Sequence, residues 1–138
     1  MDKITRRERY ILPITYQIKS GVQFENDIRF TLEVVPMEVS IQASGQMLVD
    51  SDGMAFVYLL EDNTGYQYLK FGQEVWPLLV SALKAEDDPT IQFGSQRIVL
   101  HNFKEELKSL VYNIEGNDNY GEDFSQAVEL TFKEILQA

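Results

Sequence analysis

Apolar residues alternate with polar ones along the first half of the chain and recur at helical spacing along the second. Tyr10, Leu12, Ile14, Tyr16 and Ile18 occupy every second position against Ile11, Pro13, Thr15 and Gln17, the period of a half-buried strand. Pro13 suits a sheet edge, because its nitrogen has no hydrogen to give to a ladder. After Gly21, read as a turn, Ile28, Phe30, Leu32 and Val34 alternate with Arg29, Thr31 and Glu33 until Pro36, and Val39, Ile41 and Ala43 add a shorter piece. AFVYLL and YQYLKF follow, separated by EDNTG, whose polar and glycine content suits a hairpin loop. TIQFG and QRIVLH make a second hairpin around Gly94 and Ser95.

Three helices are expected from the 3.6-residue pattern. The first runs from near Glu74 to near Ala85, with Pro77 in its first turn and Val75, Leu78, Leu79, Ala82 and Leu83 on one face beside Trp76. Glu86, Asp87 and Asp88 fall where the helix dipole disfavours acids, so they are read as loop residues before Pro89. The second opens at Asn102 with Glu105 three residues on, a capping-box spacing, and carries Phe103, Leu107, Leu110, Val111 and Ile114 on one stripe to Gly116. The third starts between Asn119 and Glu122 and turns Phe124, Ala127, Val128, Thr131, Phe132 and Ile135 inward. Hairpins first and helices last predict one α+β domain over residues 1–138. Its architecture would be an antiparallel sheet of about five to seven strands with three helices, the last two a C-terminal hairpin.

Composition narrows the chemistry. The chain has 138 residues, of which 44% are apolar, enough to bury a core without staples. There is no Cys, which removes disulfides, thiolate metal sites and cysteine nucleophiles, and there is one His. The longest apolar run, Met54 to Leu60, is far short of a membrane span, so no membrane association is expected. Twelve Lys and Arg face 22 Asp and Glu, a net charge of −10. Residues 1–30 nevertheless hold six bases against four acids, and the remainder therefore carries −12. A field of that sign repels phosphate backbones, so no nucleic acid is expected as a partner, and the TRRER run is read as a solvated end.

Candidate chemistry is sparse. VDSDG places Asp50, Asp52 and Gly53 like part of a calcium loop, but that register puts Leu48 and Leu59 at obligatory ligand positions. NIEGNDNYGED puts Tyr120 at the glycine position of such a loop, so it reads as turn and cap chemistry. Ser51 has only His101 as a conceivable base, and the adjacent pairs Glu105/Glu106 and Glu122/Asp123 diverge by about 100° around a helix. Neither GxGxxG nor GxxxxGKS occurs. No cofactor and no catalysis are therefore expected. Tyr58, Tyr66, Tyr68, Phe71 and Trp76 offer an alternative, a small-ligand pocket between hairpin and helix, although aromatic cross-strand pairs more often build core.

Tyr112 projects opposite the buried stripe of its helix and Leu130 about 120° from the stripe of its own. With Tyr120 they stand among Glu115, Asp118, Glu122, Asp123 and Glu129, a surface on which acids would steer a basic protein partner and apolar groups anchor it. A homodimer is a further option. GQMLVDSDGMAFVYLLED (45–62) and LVYNIEGNDNYGEDFSQAVE (110–129) resemble a numbered, functionally uncharacterised family of small acidic cytosolic proteins from Gram-positive bacteria. The resemblance implies a bacterial cytoplasmic protein and brings no activity, cofactor or catalytic residue with it; the expected function, from the residues themselves, is a non-catalytic protein-interaction or regulatory module.

Overall fold

Alternation and helical periodicity produce eight strands and three long helices in the computed structural model, which describes residues 14–32 and 40–138. The strands are β1 (Thr15–Ile18), β2 (Ser20–Phe24), β3 (Asp27–Thr31), β4 (Gln42–Asp50), β5 (Ala55–Asp62), β6 (Gly65–Gly72), β7 (Thr90–Phe93) and β8 (Gln96–Val99). The helices are α1 (Trp76–Lys84), α2 (Phe103–Ile114), α3 (Glu122–Thr131) and the short α4 (Lys133–Leu136). Tyr10, Leu12, Pro13, Val34, Pro36 and Val39 lie outside the described residues. Among the described residues no helix is long and apolar enough to cross a membrane.

The single antiparallel sheet expected from the sequence is two four-stranded mixed sheets, ordered β1-β6-β5-β4 and β2-β3-β7-β8. Both expected hairpins form, β5 with β6 and β7 with β8, but β1 pairs parallel with β6 and β3 parallel with β7. The physical cause is continuity: only Lys19 separates β1 from β2, so the chain passes from one sheet into the other without turning. Gly21 is accordingly a strand residue opposite Phe30, and the turn falls at Glu25 and Asn26, with Glu25 at φ 56°. Glycine is required there for space, since a Cβ would lie 2.6 Å from Leu78 Cδ2 and 2.7 Å from the Arg29 carbonyl oxygen. Its absence lets α1 settle on the strand.

Both sheets and three helices share one core, in which Ile18, Phe30, Phe56, Tyr58, Phe71 and Trp76 meet Leu107, Val111, Val128 and Phe132. Most ring pairs are tilted or edge to face, as Phe71 is on Phe103 at 5.4 Å, while Tyr58 stacks on the same ring. On α2 the stripe read from the sequence buries, with Phe103, Leu107, Val111 and Ile114 inward, whereas α1 buries Val80 with Trp76, Leu79 and Ala82 and leaves Leu78 and Leu83 half-buried, and α3 adds Ser125 to its buried face. The last helix pauses at Phe132, whose φ of −98° and ψ of 22° leave the helical region before α4 begins.

The expected capping box at Asn102 does not form. Asn102 is left-handed at φ 65° and caps nothing with its own side chain. Asp88 does that work from the α1–β7 loop, its carboxylate accepting from the Asn102 and Lys104 amides at 3.1 and 3.0 Å. Lys104 returns the contact, its Nζ donating to the Ala85 and Glu86 carbonyls just beyond α1. An acid at one helix start and a base at another helix end each oppose the local dipole, so the two helices brace each other.

Glu106 closes the edge of β4. The ladder between β4 and β5 shifts register between Ala43 and Met47, where Gly45 stands at φ 81°. The freed backbone groups find side chains. The Gly45 amide donates to Tyr58 Oη at 3.1 Å, that hydroxyl donates to the His101 carbonyl at 2.7 Å, and Asn102 Nδ2 donates to the Gly45 carbonyl at 3.1 Å. Met47 N donates to Glu106 Oε1 at 3.2 Å, and His101 Nε2 lies 3.1 Å from the Ala43 carbonyl.

Burial pushes the Tyr58 hydroxyl up to about 12, with Asp88 and Glu106 adding to the shift against the Gly45 hydrogen bond. Stability from the neutral phenol is thus complete below the ordinary tyrosine value and is lost as pH rises through about 12. Tyr58→Phe, which strands two backbone groups, should cost on the order of 1–3 kcal/mol in urea unfolding at neutral pH. It should also flatten the alkaline loss of stability. A variant as stable as the parent would show that the hydroxyl holds nothing.

Candidate functional site

Two segments far apart in sequence meet at the start of α3. The first is the β4–β5 turn, where Asp50 Oδ1 accepts from the Gly53 amide at 3.0 Å and Oδ2 pairs with Lys70 Nζ at 2.9 Å. Met54 follows at φ 53°, its amide donating to the Ser51 carbonyl at 3.2 Å. The second is the connector from α2 to α3. Gly116, at φ 68°, ends α2 as the sequence indicated, and its amide donates to Glu129 Oε2 at 2.9 Å. Asn117 then organises the loop, accepting from the Asn119 amide at Oδ1 and from Ser125 Oγ at its carbonyl, both at 3.0 Å. Asparagine and glycine therefore serve turn geometry here.

Between the two segments opens a cleft of about 380 Å³, lined by Ser51, Asp52 and Met54 on one side and by Tyr120, Glu122 and Asp123 on the other. A groove of about 370 Å³ runs along the other flank of α3, lined by Glu115, Gln126, Glu129, Leu130, Lys133 and Leu136. The candidate partner-binding residues thus divide: Tyr120, Glu122 and Asp123 border the cleft, and Glu115, Glu129 and Leu130 border the groove. Tyr112 and Asp118 line neither. Leu130 is 77% exposed and Tyr112 43%, the latter tethered by its hydroxyl, which donates to the Ile135 carbonyl at 3.1 Å.

Tyr120 is no exposed anchor. It is half-buried against the core, its ring beside Phe124, and its hydroxyl accepts from Asn113 Nδ2 at 2.9 Å, so it fastens the connector to α2. The turn residues Ser51, Asp52 and Met54 were missed as part of this surface, although 45–62 and 110–129 are the two stretches that carry the family resemblance. In the sequence each reads as a separate loop, and only the fold brings the two face to face.

The aromatic set does not form a pocket. Tyr58, Phe71 and Trp76 are buried, with Tyr58 stacked on Phe103, Trp76 against Phe56, and Trp76 Nε1 donating to the Phe71 carbonyl at 3.0 Å. Tyr66 is exposed and Tyr68 only half-buried on the opposite face, because alternate strand residues point apart. His101 is an exposed residue engaged at the β4 bulge. Among the described residues no three His, Asp or Glu side chains converge closely enough to hold a metal ion.

A model for a family of unknown function, UPF0738, matches residues 16–132. A UPF0738 protein of Lysinibacillus sphaericus is 40% identical over 121 residues, covering 88% of this chain and 95% of its own. One from Bacillus cytotoxicus is 36% identical over 84% of this chain and 95% of its own, and one from Staphylococcus haemolyticus is 47% identical over 64% and 72%. No solved structure matches.

The hydrogen bond from Lys70, then that from the Gly53 amide, hold the Asp50 carboxyl below its ordinary value. The stability this contributes is present above the ordinary carboxylate range, near pH 4, and is lost as pH falls through the lowered value. In an NMR titration of the Asp50 side-chain carbon, Lys70→Met should raise the midpoint towards that of a free aspartate. An unmoved midpoint would show that the pair does not fix the turn.

Proposed function

The chain belongs to the UPF0738 family, and from that premise we propose that it is a non-catalytic protein-interaction module whose acidic face around α3 docks a basic partner. The observation that carries this reading is Leu130. On a helix that buries Phe124, Ser125 and Val128, it is 77% exposed, and it lines a groove with Glu115, Glu129 and Lys133. An exposed leucine alone is ordinary; one set in a groove with two carboxylates to one lysine has the form of an anchor with steering charges beside it.

The local chemistry agrees with that role. Glu122 and Asp123 occupy the first turn of α3, where the dipole stabilises acids, so their charge is retained at little cost to the fold. Asp52 adds a third carboxylate across the cleft. Glu129 is partly spent on the Gly116 amide, which leaves Glu115 as the freer carboxylate of the groove. The C-terminal pair of helices, α2 and α3 with the connector between them, is the supporting frame.

Replacing Leu130 by Ser should leave the thermal midpoint of unfolding unchanged, since the side chain is not in the core. The same change should weaken capture of a basic partner from cell lysate by immobilised chain, by about 5- to 30-fold for an anchor worth about 1–2 kcal/mol. Equal capture by the parent and the variant would remove Leu130 from the interface and the reading with it.

A further inference from the structure

We propose that the partner surface for the acidic face is present on the chain itself: the outer face of the second sheet docks on the α3 groove of another copy, joining copies head to tail. The inference rests on the interaction reading above and names its partner. Strand register defines the outer face. Val22 pairs with Arg29, Arg29 with Thr90 and Thr90 with Val99, so these four side chains form one row across all four strands. Phe24 lies one row to one side and Arg97 one row to the other.

This face carries three exposed apolar side chains, Val22, Phe24 and Val99, among Asp27, Arg29, Thr90 and Arg97. Val22 is 47% exposed, Phe24 59% and Val99 55%. The charges that accompany them are of the sign scarce elsewhere: Arg29, which lies 5.4 Å over the Phe24 ring and pairs with Asp27 at 2.7 Å, and Arg97, which is exposed and donates to Thr90 Oγ1 at 3.3 Å. The groove around Leu130 is lined by the apolar Leu130 and Leu136 and by Glu115 and Glu129, with Lys133 as its one base.

Charge decides the orientation. Copies carrying a net charge of −10 repel each other in most approaches, and a contact that sets Arg97 against Glu115 is relieved of part of that penalty. The two surfaces share no residue, so the contact is heterologous: each copy keeps one free face of either kind and can be joined at both. The association should be salt-sensitive, because the charges are exposed and the screening length falls from about 10 Å at 0.1 M salt to about 3 Å at 1 M.

The test uses two single-face variants of the full chain, Arg97→Glu and Leu130→Glu, both at exposed positions, with circular dichroism confirming that each folds. In sedimentation equilibrium at low salt, the parent should show a mass that climbs past the dimer as concentration rises. Each variant alone should remain a monomer. An equimolar mixture should form a dimer and nothing larger, since each variant retains the face that the other lacks. A parent that stays monomeric, a parent whose mass stops at the dimer, or a mixture that stays monomeric would overturn the proposal. A monomeric parent that still captures a basic protein from lysate through Leu130 would overturn head-to-tail docking and leave the interaction reading standing.

Discussion

Buried backbone groups must be paired, and the fold turns on one place where a strand cannot pair its own. At the bulge in β4, the Gly45 and Met47 amides and the Ala43 and Gly45 carbonyls are held by side chains. Those side chains are Tyr58 from the next strand and His101, Asn102 and Glu106 from the junction of β8 with α2. An unpaired amide or carbonyl in such a place costs about 1–3 kcal/mol, so four satisfied groups make the bulge a fixed joint. Gly45 is suited to it twice over. Its φ of 81° is unfavourable for other residues, and a Cβ would meet His101 Cε1 at 2.7 Å.

That joint ties the first sheet to α2, and the rest of the helical layer follows from α2. Asp88 and Lys104 bind the end of α1 to the start of α2. The Gly116–Glu129 contact and the Asn113–Tyr120 contact bind the end of α2 to α3 and its connector. The same β4 that carries the bulge ends in the Asp50 turn, which forms one wall of the cleft. Cleft and groove are therefore positioned by a chain of specific polar contacts, and their acids are displayed on a rigid frame, as a docking surface requires.

Local pattern made much of this visible in the sequence. Both hairpins, the α2 stripe, the Gly116 cap and the exposure of Tyr112 and Leu130 follow from periodicity and turn chemistry, which act within a few residues, whereas Val80 on α1 is buried although it lay off the expected stripe. Whatever depends on distant pairing was hidden. Nothing local distinguishes a strand that meets its neighbour antiparallel from β1 meeting β6 in parallel, and Gly21 reads as a turn although it makes room for Leu78. Asn102 and Glu105 have capping-box spacing, yet Asp88, fourteen residues upstream of Asn102, competes for the same amides and wins. The acidic surface was half legible: its α2–α3 side could be projected on helices, whereas Ser51, Asp52 and Met54 reach it only through the fold.

Amide hydrogen exchange at Gly45 and Met47 tests the fixed joint most directly. If side chains lock the bulge, both amides should exchange only as slowly as the core strands β5 and β6, through global unfolding, and Tyr58→Phe should release Gly45 to faster local opening. Exchange of both amides in the parent at the rate of the exposed Asn63–Thr64 loop would contradict the account, because the strand would then bend freely and could not carry its turn to α3.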